Sequence, residues 1–320
     1  MLRRHASTRV LRRPPAAIAA PPQTTYIAPR NKGAAMNAST IPFRKMNGLG
    51  NDFVVLDARA RDIPMNGNIA RAIGDRDKGV GCDQVIVIRP GGQVDASMEI
   101  RNRDGSRVNA CGNATRCIGD LLMSESGKDA VTIRTGAGLL IARRRGDGLI
   151  EVDMGAPKFD WRDIPLAEEF RDTRGIELQA GPIDNPTLHT PAVVNVGNPH
   201  AVFWVDDVEA IKLHIMGPLL ENHPIFPEGA NISICKVMDE GHLLLRVWER
   251  GAGLTRACGT AACAAAVCAA RKKLTGRKVR VTLPGGDLFI HWRDDDDHIM
   301  MAGPVEYEFE GELPAEMFED

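Results

Sequence analysis

The sequence predicts an α+β protein of two pseudo-symmetric domains, each a curved, barrel-like mixed β-sheet wrapped around one central helix. Three observations predict it. The chain is rich in short β-branched or alternating segments, it has only two clear helical patterns, and both patterns begin with Ala-Cys-Gly. The cysteines of that word, Cys111 and Cys258, are 258 − 111 = 147 positions apart. We therefore expect an internal duplication with the active site in the cleft between the two domains.

The two helical patterns begin alike but differ in burial. After Cys111, apolar residues recur at helical spacing until Gly127, a residue typical of a helix end. After Cys258, residues 261–270 include no polar residue, so this helix must be buried on every side. A predicted strand precedes each helix, over residues 97–102 and 243–249. Further strands are predicted over residues 52–57, 84–89, 131–134, 138–143, 148–153, 192–196, 201–205, 231–236, 279–283, 287–292 and 298–302.

Proline and glycine are dense near residues 155–190, which predicts a domain boundary there. We expect a first domain over residues 41–155, a second over 156–302, and a last strand, about 303–318, that returns to the first domain. Residues 1–40 contain no acidic residue, whereas the first 35 include six arginines and one lysine. This composition indicates a disordered extension, which is either a targeting segment or sequence upstream of a start at Met36.

Charge and cysteine content exclude several classes of partner. The 40 basic and 42 acidic residues leave a net charge of −2, which provides no field for collecting nucleic acid or anionic membrane. No apolar run reaches the about 20 residues that span a bilayer. The seven cysteines include no CxxC pair, which favours free thiols in a reducing, cytoplasmic compartment. A small molecule is therefore the expected partner.

The repeated Cys-Gly word indicates proton-transfer chemistry. At a helix N-terminus the exposed amides favour a thiolate, and Gly112 and Gly259 let backbone N–H groups approach an anion closely. Inverting a stereocentre by proton transfer requires a base and an acid on opposite faces of one carbon. Two such thiols around one carboxylate therefore predict an amino-acid racemase or epimerase. We expect no metal and no pyridoxal phosphate, because neither cysteine has a second ligand at metal-binding spacing and no lysine stands in a recognisable cofactor pattern.

Long sequence motifs around these cysteines resemble those of the diaminopimelate epimerases, and the resemblance covers about residues 42–312. Five words in order carry the resemblance: FRKMNGLGNDFVVLD (43–57), GVGCDQ (79–84), RNRDGSRVNACGNATRC (101–117), VGNPH (196–200) and WERGAGLTRACGTAACA (248–264). The resemblance implies interconversion of LL-2,6-diaminopimelate and meso-diaminopimelate in lysine and peptidoglycan precursor biosynthesis, without a cofactor. It also implies a homodimer, although Phe309 stands where the family often has a tyrosine implicated in dimerisation.

The resemblance also implies a role for each matching residue. Cys111 and Cys258 would be the acid and base, with Glu249 and His200 as catalytic supports. Backbone amides would hold the reacting carboxylate, from Gly112, Asn113, Gly259 and Thr260. The reacting end of the substrate would be held by Asn51, Gln84 and Glu249. The distal L-centre, which does not react, would be bound by Asn102, Asn198, Asn231 and Arg250.

Two other functions stay open on the residues alone. A proline racemase or hydroxyproline epimerase would share the two-thiol design, but it would leave the distal set without a group to bind. A non-catalytic redox protein could instead use Cys111 and Cys258 as a pair that forms a disulfide.

Overall fold

The computed structural model describes residues 40–319. The expected disorder of residues 1–40 falls outside this part of the chain, apart from Thr40, which begins the first strand. The first half contains β1 (Thr40–Gly48), β2 (Asn51–Asp57), α1 (Gly67–Gly74), β3 (Gln84–Arg89), β4 (Ala96–Asn102), β5 (Arg107–Val108), α2 (Gly112–Ser126), β6 (Ala130–Thr135), β7 (Gly138–Arg144) and β8 (Ile150–Asp153).

The second half begins with a short separate hairpin and then repeats this order. Its elements are β9 (Gln179–Ala180), β10 (Leu188–His189), β11 (Ala192–Asn195), β12 (Pro199–Trp204), α3 (Leu213–Glu221), β13 (Asn231–Asp239), β14 (His242–Glu249), β15 (Gly253–Leu254), α4 (Gly259–Arg271), β16 (Lys278–Leu283), β17 (Gly286–Trp292), β18 (Ile299–Gly303), β19 (Glu306–Pro314) and a 3₁₀ helix, Ala315–Phe318.

Strand pairing follows the same pattern in both halves. In the first, β2 pairs with β3 in parallel, β3 with β4 antiparallel, and β4 with β6 in parallel, before the antiparallel run β6, β7, β8. The second half has the same pattern with β12, β13, β14, β16, β17 and β18. Each parallel pair needs a crossover, and the four α-helices provide these connections. Two repeated domains with mixed sheets are therefore present, as the sequence predicts.

The helices lie on opposite faces of the sheet. In the first half α2 packs into one apolar core and α1 into another, and in the second half α4 and α3 do the same. Residues Ala261–Ala269 of α4 are all buried, as the run without polar residues predicts. Burying both faces of a mixed sheet explains why strands such as β3, QVIVIR, are continuously apolar rather than alternating.

A seam of backbone hydrogen bonds joins the two halves. β8 pairs antiparallel with β18, and the pairs include Asp153 with Met300 and Val152 with Met301. Asp153 and Met300 are themselves 147 positions apart, so this position pairs with its own repeat. A pseudo-two-fold axis therefore passes through the seam, and the 17 hydrogen-bonded strands form one continuous sheet across the described residues. At the far end of the first half, β19 pairs with β1.

Candidate active site

Both cysteines of the repeated word cap a helix. Cys111 precedes α2 and Cys258 precedes α4, each with extended backbone, at φ −145° and −135°. The N–H of Ala114 donates to Cys111 Sγ at 3.5 Å, and Thr260 Oγ1 lies 3.4 Å from Cys258 Sγ. The first amides of a helix have no partner within the helix, so each thiol lies beside free N–H donors.

The two helix starts pack against the same methionine. A Cβ on Gly112 would lie 2.5 Å from Met301 Cε and 3.1 Å from Met154 Sδ, and one on Gly259 would lie 2.8 Å from Met301 Sδ. Only glycine permits this close approach at either start. The side chain of Asn113 reaches across the gap, because its Oδ1 would lie 3.3 Å from a Cβ on Gly259. The structure thus brings the predicted amide donors of both halves together.

One group of site residues surrounds Cys111. Cys111 Sγ lies 3.7 Å from Asn51 Oδ1, and Asn51 Nδ2 donates to Asp83 at 3.0 Å. Gln84 Nε2 donates to Asn102 Oδ1 at 3.0 Å across the β3–β4 pair, while Gln84 Oε1 is buried with no hydrogen-bond partner among the described residues. We call Asn51, Gln84, Asn102 and Cys111 the Cys111 wall.

A second group of site residues belongs to the same half as Cys258. The Glu249 carboxylate accepts a hydrogen bond from Thr255 Oγ1 at 2.5 Å, and Glu249 adds to the burial that raises the pKa of Cys258. Asn198 Oδ1 lies 2.7 Å from His200 Nε2, and Asn231 Oδ1 accepts the backbone N–H of Arg250 at 3.0 Å. We call Asn198, Asn231, Glu249 and Cys258 the Cys258 wall. Of the predicted distal set, Asn198, Asn231 and Arg250 thus lie in one network, whereas Asn102 is bonded to Gln84 in the other wall.

Every member of one wall has a counterpart in the other. The counterparts are Asn51 and Asn198, Gln84 and Asn231, Asn102 and Glu249, and Cys111 and Cys258, each 147 positions apart. The amide donors Gly112 and Gly259, and Asn113 and Thr260, have the same spacing. The walls are therefore two copies of one arrangement, related by the axis through the seam.

Burial dominates the electrostatics of both thiols. It raises the pKa of Cys111 to about 11, opposed by the amide of Ala114 and raised further by the charge of Glu249. It raises the pKa of Cys258 well above its ordinary value, again with Glu249 adding to the shift. Burial also raises the pKa of Glu249, and the charge of Asp83 in the other half adds to this. Glu249 therefore interacts with both thiols and with both walls.

His200 is a neutral imidazole at physiological pH. The side chain is fully buried, and burial, with the charge of Arg250, lowers its pKa to about 3. Its Nδ1 has no partner among the described residues, and its Nε2 faces the amide oxygen of Asn198. A neutral ring with a proton on Nε2 can donate to Asn198 and so orient that amide, but it holds no spare proton for the substrate.

Sequence reasoning missed several residues that build the site. Asp83 orients Asn51, Thr255 bonds Glu249, and Met154 and Met301 pack at the helix starts. The two methionines are 147 positions apart, so extending the spacing of the cysteines to every residue would have found them. Asp83 and Thr255 gave no such signal, because their counterparts are Ala230 and Val108.

Two other features of the described chain bear on its class. Across residues 40–319, no helix is long and apolar enough to cross a membrane. In the same residues, no group of three or more His, Cys, Asp or Glu side chains is placed to hold a metal ion.

Solved structures define the class of fold. A hydroxyproline epimerase from Agrobacterium vitis, with bound trans-4-OH-L-proline, matches with a TM-score of 0.61 at 13% identity, over 86% of this chain and 91% of that one. A phenazine biosynthesis protein of the PhzF family from Bacillus anthracis matches at 0.60 and 18% identity, over 86% and 99%. This chain therefore has the two-domain fold that these proteins share.

Sequence comparison identifies the family within that fold. The family model described as Diaminopimelate epimerase matches residues 43–159 and 192–308, once in each half. A diaminopimelate epimerase of Rhodopseudomonas palustris (strain HaA2) is 55% identical over 279 residues, 86% of this chain and 94% of that protein. One from Afipia carboxidovorans is 54% identical over 281 residues, 86% and 96%. The chain belongs to the diaminopimelate epimerase family.

Proposed function

We propose that this chain interconverts LL-2,6-diaminopimelate and meso-diaminopimelate by proton transfer between two thiols. The observation that carries the proposal is the pair of Cys-Gly helix starts, one from each half, that pack against Met301. Family membership supports the substrate. The same membership places the reaction in lysine and peptidoglycan precursor biosynthesis.

The paired walls match the symmetry of the reaction. One cysteine, as thiolate, takes the proton from Cα, and the other, as thiol, gives a proton to the opposite face. One C–H bond breaks and one forms, and the two sulfurs exchange protonation states, so the reverse reaction uses the same groups in swapped roles. Amides of Gly112, Asn113, Gly259 and Thr260 hold the carboxylate and stabilise the charge that develops next to it.

The differences between the walls fit the two ends of the substrate. Glu249 adds to the burial that raises the pKa of Cys258 and so favours the protonated thiol, while the neutral His200 orients Asn198. Arg250, whose guanidinium Nη1 already donates to the carbonyl of Glu228 at 2.8 Å, offers further donors to the distal carboxylate. Asn102, Asn198 and Asn231 bind the ammonium and carboxylate of the same distal centre.

Deuterium exchange tests the proposal directly. The reduced protein is incubated in D₂O with LL-diaminopimelate and, separately, with L-proline. We expect deuterium at one α-carbon of diaminopimelate together with formation of the meso isomer, and no exchange on L-proline. Exchange on L-proline alone would instead support a proline racemase, and exchange on neither would refute the two-thiol proposal for these substrates.

Oxidation separates the enzyme from a redox thiol protein. A mild oxidant such as diamide would take two electrons and two protons from Cys111 and Cys258 and leave a disulfide. All seven cysteines are free thiols in the structure. We expect oxidation to abolish epimerisation and a thiol reductant to restore it. Full turnover by the oxidised protein contradicts the proposed chemistry.

We further propose that the chain is a cytoplasmic homodimer. The free cysteines favour a reducing compartment. Phe309, on β19, is 51% exposed, packs edge-on against Phe43, and lies on a strand paired with β1 along one side. Light scattering after size-exclusion chromatography should give twice the mass of one chain, and Phe309→Glu should shift the protein towards monomer.

A further inference from the structure

The interior of the first half holds an arginine that the proposed reaction does not yet use. Arg116, one turn into α2, is 0% exposed and is among the largest fully buried side chains. Its Nη1 donates to Asn113 Oδ1 at 3.0 Å and lies 3.8 Å from Met301 Sδ. Its Nε and Nη2 are buried and have no partner among the described residues. A buried cation left this way destabilises the fold unless an anion compensates it.

The space around the guanidinium is built from backbone that carries no side chain. A Cβ on Gly303 of β18 would lie 3.1 Å from Cζ, and one on Gly48 of β1 would lie 3.5 Å from Nη2. Burial lowers the pKa of Arg116, and three thiols oppose that shift: Cys111, which caps α2, Cys117 of α2 and Cys263 of α4. Cys117 and Cys263 are fully buried in the two cores, whereas Cys111 is only partly buried.

The repeat shows that this charge exists on one side only. The counterpart of Arg116, 147 positions later, is Cys263. The Cys258 wall has the carboxylate of Glu249 instead, at the position that Asn102 occupies in the first half. The two walls therefore have the same backbone arrangement but different charges. Arg116 carries a positive charge in the half of Cys111, and Glu249 carries a negative charge in the Cys258 wall.

Resting on the proposed function, we propose that Arg116 is a positioning residue that acts through Cys111 and Asn113. Its charge compensates the thiolate that Cys111 forms when its proton leaves, and its Nη1 holds the Asn113 amide at the junction of the two helix starts. The Nε–H and Nη2–H donors of Arg116 have no partner among the described residues, so they remain free to interact with the negative charge that develops when Cys111 becomes a thiolate. The opposing influence of Arg116 on the pKa of Cys111, which burial raises, agrees with this placement.

Titration of a single thiol tests the proposal without turnover. In a Cys258→Ala background, the rate of alkylation of Cys111 by iodoacetamide is followed against pH, with the modified cysteine identified by mass spectrometry. We expect Arg116→Met to raise the apparent pKa of Cys111 by about one unit or more, as loss of a nearby buried charge does. Arg116→Lys, which keeps the charge, should shift it by less than half as much. Arg144→Met is the matched control, because Arg144 binds the outer end of the same helix through Asp120 and Ser124.

Kinetics in the enzyme with both cysteines give the second readout. Arg116→Met should lower kcat by about 10- to 100-fold, because each unit by which the pKa of Cys111 rises makes its thiolate about tenfold rarer, with KM changed less than about threefold. A folded Arg116→Met protein whose Cys111 pKa and kcat equal those of the parent overturns the proposal. If Arg116→Met does not fold, Arg116→Lys decides: a Cys111 pKa raised by a full unit despite the retained charge overturns it. An inactive parent with the predicted Cys111 shifts would refute the proposed reaction but not the role of Arg116.

Discussion

The Cys111 wall and the Cys258 wall have one backbone plan and opposite electrostatics. Their cysteines, the glycines that follow them and one asparagine pair, Asn51 and Asn198, recur at the 147-residue spacing. The proposed proton transfer needs the cysteines and glycines in both directions. Charged residues stand at positions where the two halves differ. Glu249 is the counterpart of Asn102, and Arg116 is the counterpart of Cys263. We therefore propose that the proton transfer uses the shared cysteines and glycines, and that residues that diverged, such as Glu249, help to discriminate between the two ends of the substrate.

Removing either thiol should have the largest effect. We expect Cys111→Ala and Cys258→Ala each to lower kcat for epimerisation by at least about 10³-fold, because each direction needs both an acid and a base. Chiral chromatography of the products measures the loss. Cys268→Ala, which changes a core cysteine of the same helix as the Cys258 cap, should stay within about threefold of the parent. Near-normal turnover in either single variant would contradict the proposal that both thiols are needed for epimerisation.

Arg250 tests whether the network of Asn198, Asn231 and Arg250 binds the distal end of the substrate. Arg250→Met should raise KM by about 10- to 100-fold, since a hydrogen bond to a charged group contributes about 1.5–3 kcal/mol. We expect kcat to change much less, because the distal centre does not react. Arg246→Met is the control, because Arg246 lies on β14, four residues before Arg250, and is bonded to Glu209. A fall confined to kcat would place Arg250 at the reacting end instead.

Glu249 tests the charge difference between the walls. We expect Glu249→Gln to lower kcat by about tenfold and to lower the pKa of Cys258, because the carboxylate that raises it is gone. Burial raises the pKa of Glu249, so its stabilising contribution is present below the ordinary value of 4.5 and is lost as pH rises through the raised pKa. Glu249→Gln should therefore be more stable than the parent at pH 8, by about 1 kcal/mol, with the gain vanishing near pH 4. Urea denaturation at both pH values measures this, and an equal gain at both would contradict it.

Asp83 should give the smallest effect. Its Oδ2 accepts from Asn51 Nδ2 at 3.0 Å and so directs Asn51 Oδ1 towards the Cys111 thiol. Asp83→Asn weakens the hydrogen bond that orients Asn51 but leaves the Asn51 amide in place. We expect kcat/KM to fall by about three- to tenfold. Asp62→Asn, an exposed carboxylate bonded to Arg89, is the matched control. Identical losses in the two variants would mean that Asp83 acts only through surface charge.

The repeated strands and the two central helices could be predicted from sequence because their signals are local. Segments of β-branched or alternating apolar residues predict the strands, and Cys-Gly followed by apolar residues predicts α2 and α4. The strand β1 was missed because charged Arg44 and Lys45 interrupt its apolar pattern. Lys45 is nevertheless buried, since it pairs with Asp52 at 2.6 Å, a contact between two strands. Burial alone would raise the pKa of Asp52, but bonds from Arg76 and Lys45 bring it below its ordinary value.

Two short helices were also missed. α1 has only eight residues, and no distinctive apolar run follows its N-cap, Asn66. α3 has nine residues and contains Pro218. Short helices owe their stability to packing rather than to propensity, so tertiary contacts decide them. The same limit applies to the site. The bond between Gln84 and Asn102, which places Asn102 in the Cys111 wall, depends on the β3–β4 register and not on any motif.

The self-paired position in the seam has a consequence for how this protein can change. Two identical half-chains joined at Asp153 and Met300 would carry every substitution twice, once in each wall. Because both halves belong to one chain, a substitution in one wall does not change the other wall. A carboxylate can therefore arise beside one thiol without appearing beside the other. The seam thus keeps the geometry of a symmetric assembly while the single polypeptide frees its two copies to diverge.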